Sequence, residues 1–294
     1  MDGPIDMVFM YFRYHPNKPV AYVALAVFVL IDIYLILRIR LQKAPAFMYK
    51  MIIFLTMEIL GFVMRIACFS TPINLGKFLV SNLFTILAPN IVGLVNYNAI
   101  THMIRLSNLE TDKFYLNHKK LKILSIFCTV IPSMLQGIGG ALQTIADLRS
   151  KGLKMAIAGL SVQLIVFASF FMFLIFVTRE KSIQYEVEGV ENPKKKALIR
   201  VYTTLSLLTI RLIYRLVQFS TGPTGPVATK EWTFYVFDTL IVAFVFLTLS
   251  TLNSCFPRQG KEIFIERDEE KCRSSRESSV SNTLKEEPRE EYKL

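Results

Sequence analysis

The chain has 294 residues, of which 52% are hydrophobic and 19% are charged, with a net charge of +11 and a mean hydropathy of +0.41. A soluble domain of this length does not carry so many long uncharged runs, so the composition indicates an integral membrane protein made of helices. The four cysteines are too far apart for a disulfide framework or a zinc site. The basic residues cluster beside the apolar runs, which argues for membrane topology and against nucleic-acid binding.

Seven apolar runs are long enough to cross the ~30 Å hydrocarbon layer of a bilayer as helices. No small-residue cleavage site follows the first run, so we interpret it as a retained helix and not as a removed signal peptide. The sequence therefore predicts an all-α fold, a seven-transmembrane-helix bundle. The predicted spans cover residues 20–37, 47–69, 78–104, 121–146, 154–177, 198–219 and 232–252.

Lys and Arg are unevenly distributed between the segments that join the spans. Twelve lie in the three segments that would share one side of the membrane, and six lie in the four segments on the other side. Because basic loops stay in the cytoplasm, the N-terminus is predicted to be outside and the C-terminus inside.

Three regions follow from this topology. Residues 1–19 form an extracellular N-terminal segment, and residues 20–257 form the membrane domain. Residues 258–294 hold nine Lys or Arg and ten Asp or Glu with few apolar residues. We therefore expect a disordered cytoplasmic tail in that last region.

The sixth span carries Arg211, Arg215 and Gln218 within its apolar run. Their spacings of four and three place them on one helix face. A single Arg near the centre of a bilayer costs roughly 2.5–3.5 kcal/mol and therefore faces protein or a wet cavity. Two on one face predict a polar interior supplied by the other helices.

Acidic and basic residues of two further spans fall at the same depth. Glu58 lies near mid-membrane in the second span, with Arg65 two turns above it on the same face. In the seventh span, Glu231 marks the outer rim and Asp238 lies two turns deeper. Three arginines and three acids therefore share one slab, which predicts a polar cavity toward the outer leaflet.

Each of these residues also has a structural alternative. The charged pairs could be ion pairs that fix the register of neighbouring helices. Gln136 and Gln163, near the middle of the fourth and fifth spans, could be interhelical hydrogen-bonding residues. Asp32 in the first span could form a helix–helix hydrogen bond or couple transport to protons. The glycines Gly137, Gly139 and Gly140 predict close helix packing, because no Walker-type Lys-Ser/Thr follows them.

The polar residues of the slab also form a recognisable pattern. The sequence Glu58-Ile-Leu-Gly61-Phe-Val-Met-Arg65 resembles the second-helix motif of the fungal RTA-like family, the lipid-translocating exporters. The resemblance extends from residue 20 to residue 257, with Gln218 where an acid is expected, so the chain is similar to a divergent member. The further matching motifs are Ala88-Pro89 followed by Tyr97, Gln136-Gly-Ile-Gly139-Gly140, Gly159-Leu160-Ser-Val-Gln163, Arg211-Leu-Ile-Tyr-Arg215 and Glu231 to Asp238.

The resemblance implies a multi-pass plasma-membrane protein that moves or exports amphiphilic lipids, such as sphingoid long-chain bases, or toxic lipophiles. It implies no cofactor, and the absence of a Walker-type motif predicts transport without ATP hydrolysis. A cationic amine would bind an acid of the slab, and an anionic headgroup would bind Arg211 and Arg215. The substrate-binding residues expected on this basis are Glu58, Arg65, Tyr97, Gln136, Gln163, Arg211, Arg215, Gln218, Glu231 and Asp238.

Two other classes of function remain open. A seven-helix lipid or stress sensor, or a receptor that signals through its cytoplasmic face, would have the same topology. Against the G-protein-coupled class, the end of the third span lacks an Asp/Glu-Arg-Tyr triplet and the seventh lacks Asn-Pro-x-x-Tyr. An intramembrane metallohydrolase needs ligands that the three histidines do not supply, so we do not expect an enzyme. The sequence indicates no oligomeric state.

Overall fold

The computed structural model describes residues 17–70, 75–107, 118–143, 146–180, 190–222 and 229–256, together with the single residues 185, 187, 225 and 227. The predicted disordered tail and residues 1–16 of the predicted N-terminal segment lie outside these ranges.

Seven helices in the described part of the chain are long and apolar enough to cross a membrane, and this finding confirms the predicted bundle. The fourth helix ends four residues earlier than predicted, and residues Ala46–Tyr49 form a 3-10 turn before the second. The helices are α1 (Lys18–Leu41), α2 (Lys50–Ser70), α3 (Leu75–Leu106), α4 (His118–Leu142), α5 (Arg149–Arg179), α6 (Pro193–Ser220) and α7 (Glu231–Leu252).

The bundle has its apolar side chains on the outside and its charged side chains inside. Leu30 of α1, Ile165 of α5 and Met172 of α5 are 66%, 66% and 67% exposed, whereas Glu58 and Asp238 have no exposed surface at all. Hydrocarbon solvates apolar side chains but not charges, so this distribution is that of a protein embedded in lipid. The chain is therefore an integral multi-pass membrane protein.

Consecutive helices pack side by side, and α7 closes the ring against α1. The third helix also contacts α6 across the bundle, and its Tyr97 ring packs on Phe170 of α5 with the ring centroids 3.9 Å apart. The third helix is consequently in contact with four others, α2, α4, α5 and α6.

Glycines set the close approach of α4 and α5. A Cβ on Gly139 would lie 2.5 Å from the backbone nitrogen of Ala156, and one on Gly159 would lie 2.9 Å from the Cβ of Leu135. Gly140, in contrast, has no neighbouring atom within 4 Å of such a Cβ. Small residues that let two backbones meet are a common means of helix packing in membranes, and two of the three glycines named here serve it directly.

Candidate functional site: a buried charged cluster

The two arginines of α6 both point into the bundle. Arg211 and Arg215 are 2% and 4% exposed, while Ile210 and Ile213 beside them in sequence are each 47% exposed. The helical spacing thus separates one charged face from an apolar face that meets lipid. The prediction that both arginines face protein holds in the structure.

Both guanidinium groups form ion pairs with a single carboxylate, that of Asp238 on α7. The Nε of Arg211 lies 2.7 Å from Oδ1 of Asp238. Arg215 donates to the same oxygen from its Nε at 3.0 Å and to Oδ2 from Nη2. Two arginines that share one buried acid hold α6 and α7 in a fixed register, since separating them would leave charges uncompensated.

Asp238 reaches both arginines from an unusual stretch of backbone. Residues Tyr235–Leu240 of α7 form a π-helical segment between the α-helical residues Glu231–Phe234 and Ile241–Leu252. A π turn inserts one extra residue into the helix and rotates the side chains that follow it. The segment places Asp238 and Thr239 side by side in the interior, where both are buried.

Each of the two arginines also donates a hydrogen bond to a group other than Asp238. Nη2 of Arg211 donates to the carbonyl oxygen of Thr85 on α3 at 2.8 Å. Nη1 of Arg215 donates to Oε1 of Gln218 at 3.1 Å, one turn away on the same helix. Gln218 is therefore next to the arginines, as its spacing predicts, and it acts on Arg215 as a neutral acceptor.

Arg65 of α2 completes the group of cations through an aromatic ring. Its guanidinium carbon lies 4.3 Å from the ring centroid of Phe234, and that of Arg215 lies 5.6 Å from the same centroid. Cation–π contacts of this kind are worth about 2 kcal/mol when they are desolvated. Phe234 is not among the residues predicted from the sequence, although its position four residues before Asp238 places it on the same face of α7.

Glu58 is the second acid of the cluster and differs from Asp238 in its bonding. It is fully buried, and neither of its carboxylate oxygens has a hydrogen-bond partner among the described residues. The charges of Asp238, Arg211 and Arg215 all act on it. We call Glu58, Arg65, Arg211, Arg215 and Asp238 the charged cluster; it contains three cations and two acids.

Glu231 lies apart from the charged cluster. Its two carboxylate oxygens each lie 2.9 Å from the backbone nitrogen of Asn17, at the start of α1. An acid at that place satisfies a free backbone N–H and opposes the positive end of the helix dipole. The structure therefore gives Glu231 a contact between α7 and α1.

Two glutamines and one asparagine are buried neutral polar residues of α3, α4 and α5. Asn90 donates to Oε1 of Gln136 at 2.5 Å. Gln163 is fully buried, and neither its amide oxygen nor its amide nitrogen has a partner among the described residues. It lies one turn from Gly159, whose position contacts Gln136. Asn90 is not among the residues predicted from the sequence, because it carries no charge.

Tyr97 faces the same interior from α3. Its ring packs against Phe170, and its hydroxyl is buried without a hydrogen-bond partner among the described residues. One residue earlier, Asn96 accepts a hydrogen bond from Thr204 of α6 at 2.8 Å. Polar side chains thus continue along α3 from Thr85 toward its C-terminal half. The high mean hydropathy of that span concealed this row of polar residues.

A separate groove of about 710 Å³ lies at the other end of α6, near Thr178, Tyr185, Lys194 and Tyr202. The charged cluster is near the C-terminal end of α6, so this groove is not part of it. Among the described residues, no group of three or more His, Cys, Asp or Glu side chains is placed to bind a metal ion.

Comparison with known proteins places the chain in a family. The family model described as RTA1 like protein matches residues 51–259, in agreement with the resemblance seen in the sequence motifs. No solved structure shows a significant match to the chain.

Three relatives from Saccharomyces cerevisiae illustrate the distance within the family. The chain is 26% identical to protein RTM1 over 68% of its own length and 66% of that protein. It is 25% identical to protoporphyrin uptake protein 1, over 66% and 64% of the two chains, and 26% identical to the sphingoid long-chain base transporter RSB1, over 71% and 64%. The matched part is thus slightly less than two thirds of each relative. Because the family model covers more than half of the sequence, the chain belongs to the RTA1-like protein family.

Proposed function

We propose that this protein binds amphiphilic lipids of the sphingoid long-chain base type, or lipophilic small molecules, and moves them across the plasma membrane without ATP hydrolysis. Relatives named for the transport of sphingoid bases and for the uptake of protoporphyrin support a transport function over an enzymatic one. The structural observation that carries the proposal is the buried Glu58 carboxylate, which has no hydrogen-bond partner among the described residues.

The bonding of the charged cluster indicates which headgroup it would bind. Asp238 is satisfied by Arg211 and Arg215, and those arginines are further engaged by Thr85 and Gln218. Glu58 is the acid with capacity left over. An ionised carboxylate only accepts hydrogen bonds, so its natural ligand is a cationic or donor-bearing group such as an ammonium.

Two neutral polar side chains extend this specificity. The unpartnered amide of Gln163 and the hydroxyl of Tyr97 are each able to donate and accept hydrogen bonds. Hydroxyls of a headgroup would be suitable partners for these neutral groups, as an amine would be for Glu58. Its hydrocarbon chain would stay among the exposed apolar side chains that meet lipid, where it needs no polar partner.

The three cations of the cluster also limit how tightly an ammonium binds. Arg211 and Arg215 act on Glu58 with positive charge and therefore oppose a second cation beside it. A translocating protein needs a substrate that enters and also leaves, so moderate affinity suits this function.

The test is leaflet-resolved redistribution of a fluorescent sphingoid base in liposomes that contain the purified protein. We expect Glu58→Gln to lose most of the protein-dependent redistribution and Asp32→Asn to retain it. Equal rates for wild type and Glu58→Gln would contradict the proposed role of Glu58. Binding with recruitment of cytosolic partners but without movement between leaflets would instead identify a sensor.

A further inference from the structure

The charge balance of the cluster bears on what happens at Glu58 when no ligand is bound. Arg65, Arg211 and Arg215 supply three positive charges, and Asp238 compensates two of those arginines directly. Glu58 has no exposed surface and accepts no hydrogen bond from any described residue. Burial without hydrogen bonds removes the hydration of a carboxylate without replacement and favours its protonated form, against the positive charges of Arg211 and Arg215, which favour the ionised form.

We propose that Glu58 holds a proton in the empty protein and releases it when the ammonium group of a substrate binds, so that transport is an exchange of protons for amphiphilic cations. This inference rests on the proposed function and adds its coupling ion. In the exchange, the O–H bond of the Glu58 carboxyl breaks and its proton passes to water. The carboxylate that remains forms an ion pair with the incoming ammonium.

Net charge gives the physical reason for exchange over simple binding. With Glu58 protonated, three arginines and Asp238 leave a net charge of +2 in the cluster. With Glu58 ionised and an ammonium bound, three arginines, one ammonium and two acids again give +2. If the ammonium entered while the proton stayed, the buried charge would rise to +3, which a medium of low dielectric constant strongly opposes.

The groups that face Glu58 come from three other helices. Arg211 and Arg215 of α6 and Asp238 of α7 act on it electrostatically, and on α2 itself Arg65 lies two turns away. On α1, Phe28 contacts Phe62 with the ring centroids 5.3 Å apart, so Asp32, one turn below Phe28, is at the level of Glu58 on the antiparallel helix. Asp32 is half-buried, and its Oδ1 is a buried atom without a hydrogen-bond partner among the described residues.

Asp238 is a poor candidate for the same exchange. It forms an ion pair with Arg211 at 2.7 Å and a hydrogen bond with Arg215 at 3.0 Å. Protonating it would leave two buried guanidinium groups without a counter-charge. The two acids of the cluster thus have different roles, with Asp238 fixed and Glu58 exchangeable.

The test measures proton release on binding of a long-chain quaternary ammonium amphiphile to the full chain in lipid nanodiscs. This probe carries a permanent charge and no transferable proton. A released proton therefore cannot come from the probe itself. Calorimetric titrations in two buffers of different ionisation enthalpy, at several pH values and with empty nanodiscs subtracted, give the number of protons exchanged. We expect about one proton per amphiphile bound over the pH range in which the empty site is protonated.

Matched variants identify the residue that releases the proton. Asp32→Asn should release as many protons as wild type, and Glu58→Gln should release none. Glu58→Asp keeps a carboxylate at the same place, so it should still release a proton and decides the matter if Glu58→Gln does not fold. Binding by wild type without proton release at every pH would overturn the exchange and leave the proposed function standing. If the amphiphile does not bind at all, both the cationic site and the exchange are wrong.

Discussion

Oδ1 of Asp238 on α7 lies 2.7 Å from Nε of Arg211 on α6. The same carboxylate also accepts hydrogen bonds from Arg215. One acid therefore compensates two buried cations. The contact connects two neighbouring helices at the place where α7 adopts its π-helical segment. Asp238 is therefore the acid that supports the fold, and Glu58 is the acid that remains available to a ligand.

Replacement of Asp238 by Asn should destabilise the protein strongly, because both arginines would lose their counter-charge in a buried place. We expect a loss of about 3–5 kcal/mol in the free energy of unfolding. Denaturant titration of the protein in detergent micelles measures it. Asp32→Asn, at a half-buried position of α1, is the control and should change the free energy by less than about 1 kcal/mol. Equal effects of the two substitutions would contradict the assigned ion pairs.

Replacement of Glu58 by Gln, in contrast to Asp238→Asn, should impair transport and leave stability nearly unchanged. Neither oxygen of Glu58 has a partner to lose among the described residues, so the free energy of unfolding should change by no more than about 1 kcal/mol. Redistribution of sphingoid base should fall at least about tenfold, equivalent to 1.4 kcal/mol of lost interaction. A variant that unfolds as readily as Asp238→Asn would show that Glu58 is a structural residue.

The ring of Phe234 should contribute to stability beyond its volume. Phe234→Leu removes the aromatic face from Arg65 and Arg215. We expect it to cost about 2–4 kcal/mol, the sum of lost cation–π contacts and a small cavity. Phe244→Leu on the same helix is the control, since Phe244 is 50% exposed toward lipid. The free energy of unfolding in micelles compares the two, and a loss at Phe244 as large as that at Phe234 would exclude a special role for the ring.

The glycines of α4 offer a matched pair for the contact with α5. Gly139→Ala would place a Cβ 2.5 Å from the backbone nitrogen of Ala156, so the helices must separate, at an expected cost of about 1–3 kcal/mol. Gly140→Ala meets nothing within 4 Å and should be neutral or stabilise the helix by up to about 1 kcal/mol. Thermal unfolding of both variants checks the prediction. A harmless Gly139→Ala would mean that the two helices are packed less closely than described.

Several features of the bundle follow from local sequence. Seven apolar runs of sufficient length predict seven spans, because the thickness of the hydrocarbon layer sets the length of a helix that crosses it. The spacing of Arg211, Arg215 and Gln218 places them on one face, and the energetic cost of charge in lipid turns that face inward. The family is also recognisable from motifs in the chain, and the family model confirms it.

The pairing of the polar residues depends on the tertiary structure. From the sequence, Glu231 and Asp238 are equivalent acids of one helix, yet Glu231 contacts the start of α1 and Asp238 binds the arginines. Phe234 and Asn90 carry no charge and acquire their roles from neighbours on other helices. The register between helices and the π-helical segment decided these contacts.

The sequence by itself determined how many helices there are, how long they are and which of their faces avoid lipid, because hydrophobicity and helical periodicity act along the chain. Only the tertiary structure decided that Asp238 is shared by two arginines and that Glu58 is left without a hydrogen bond. Those outcomes depend on distances between side chains that are remote in sequence, and helix packing fixes such distances.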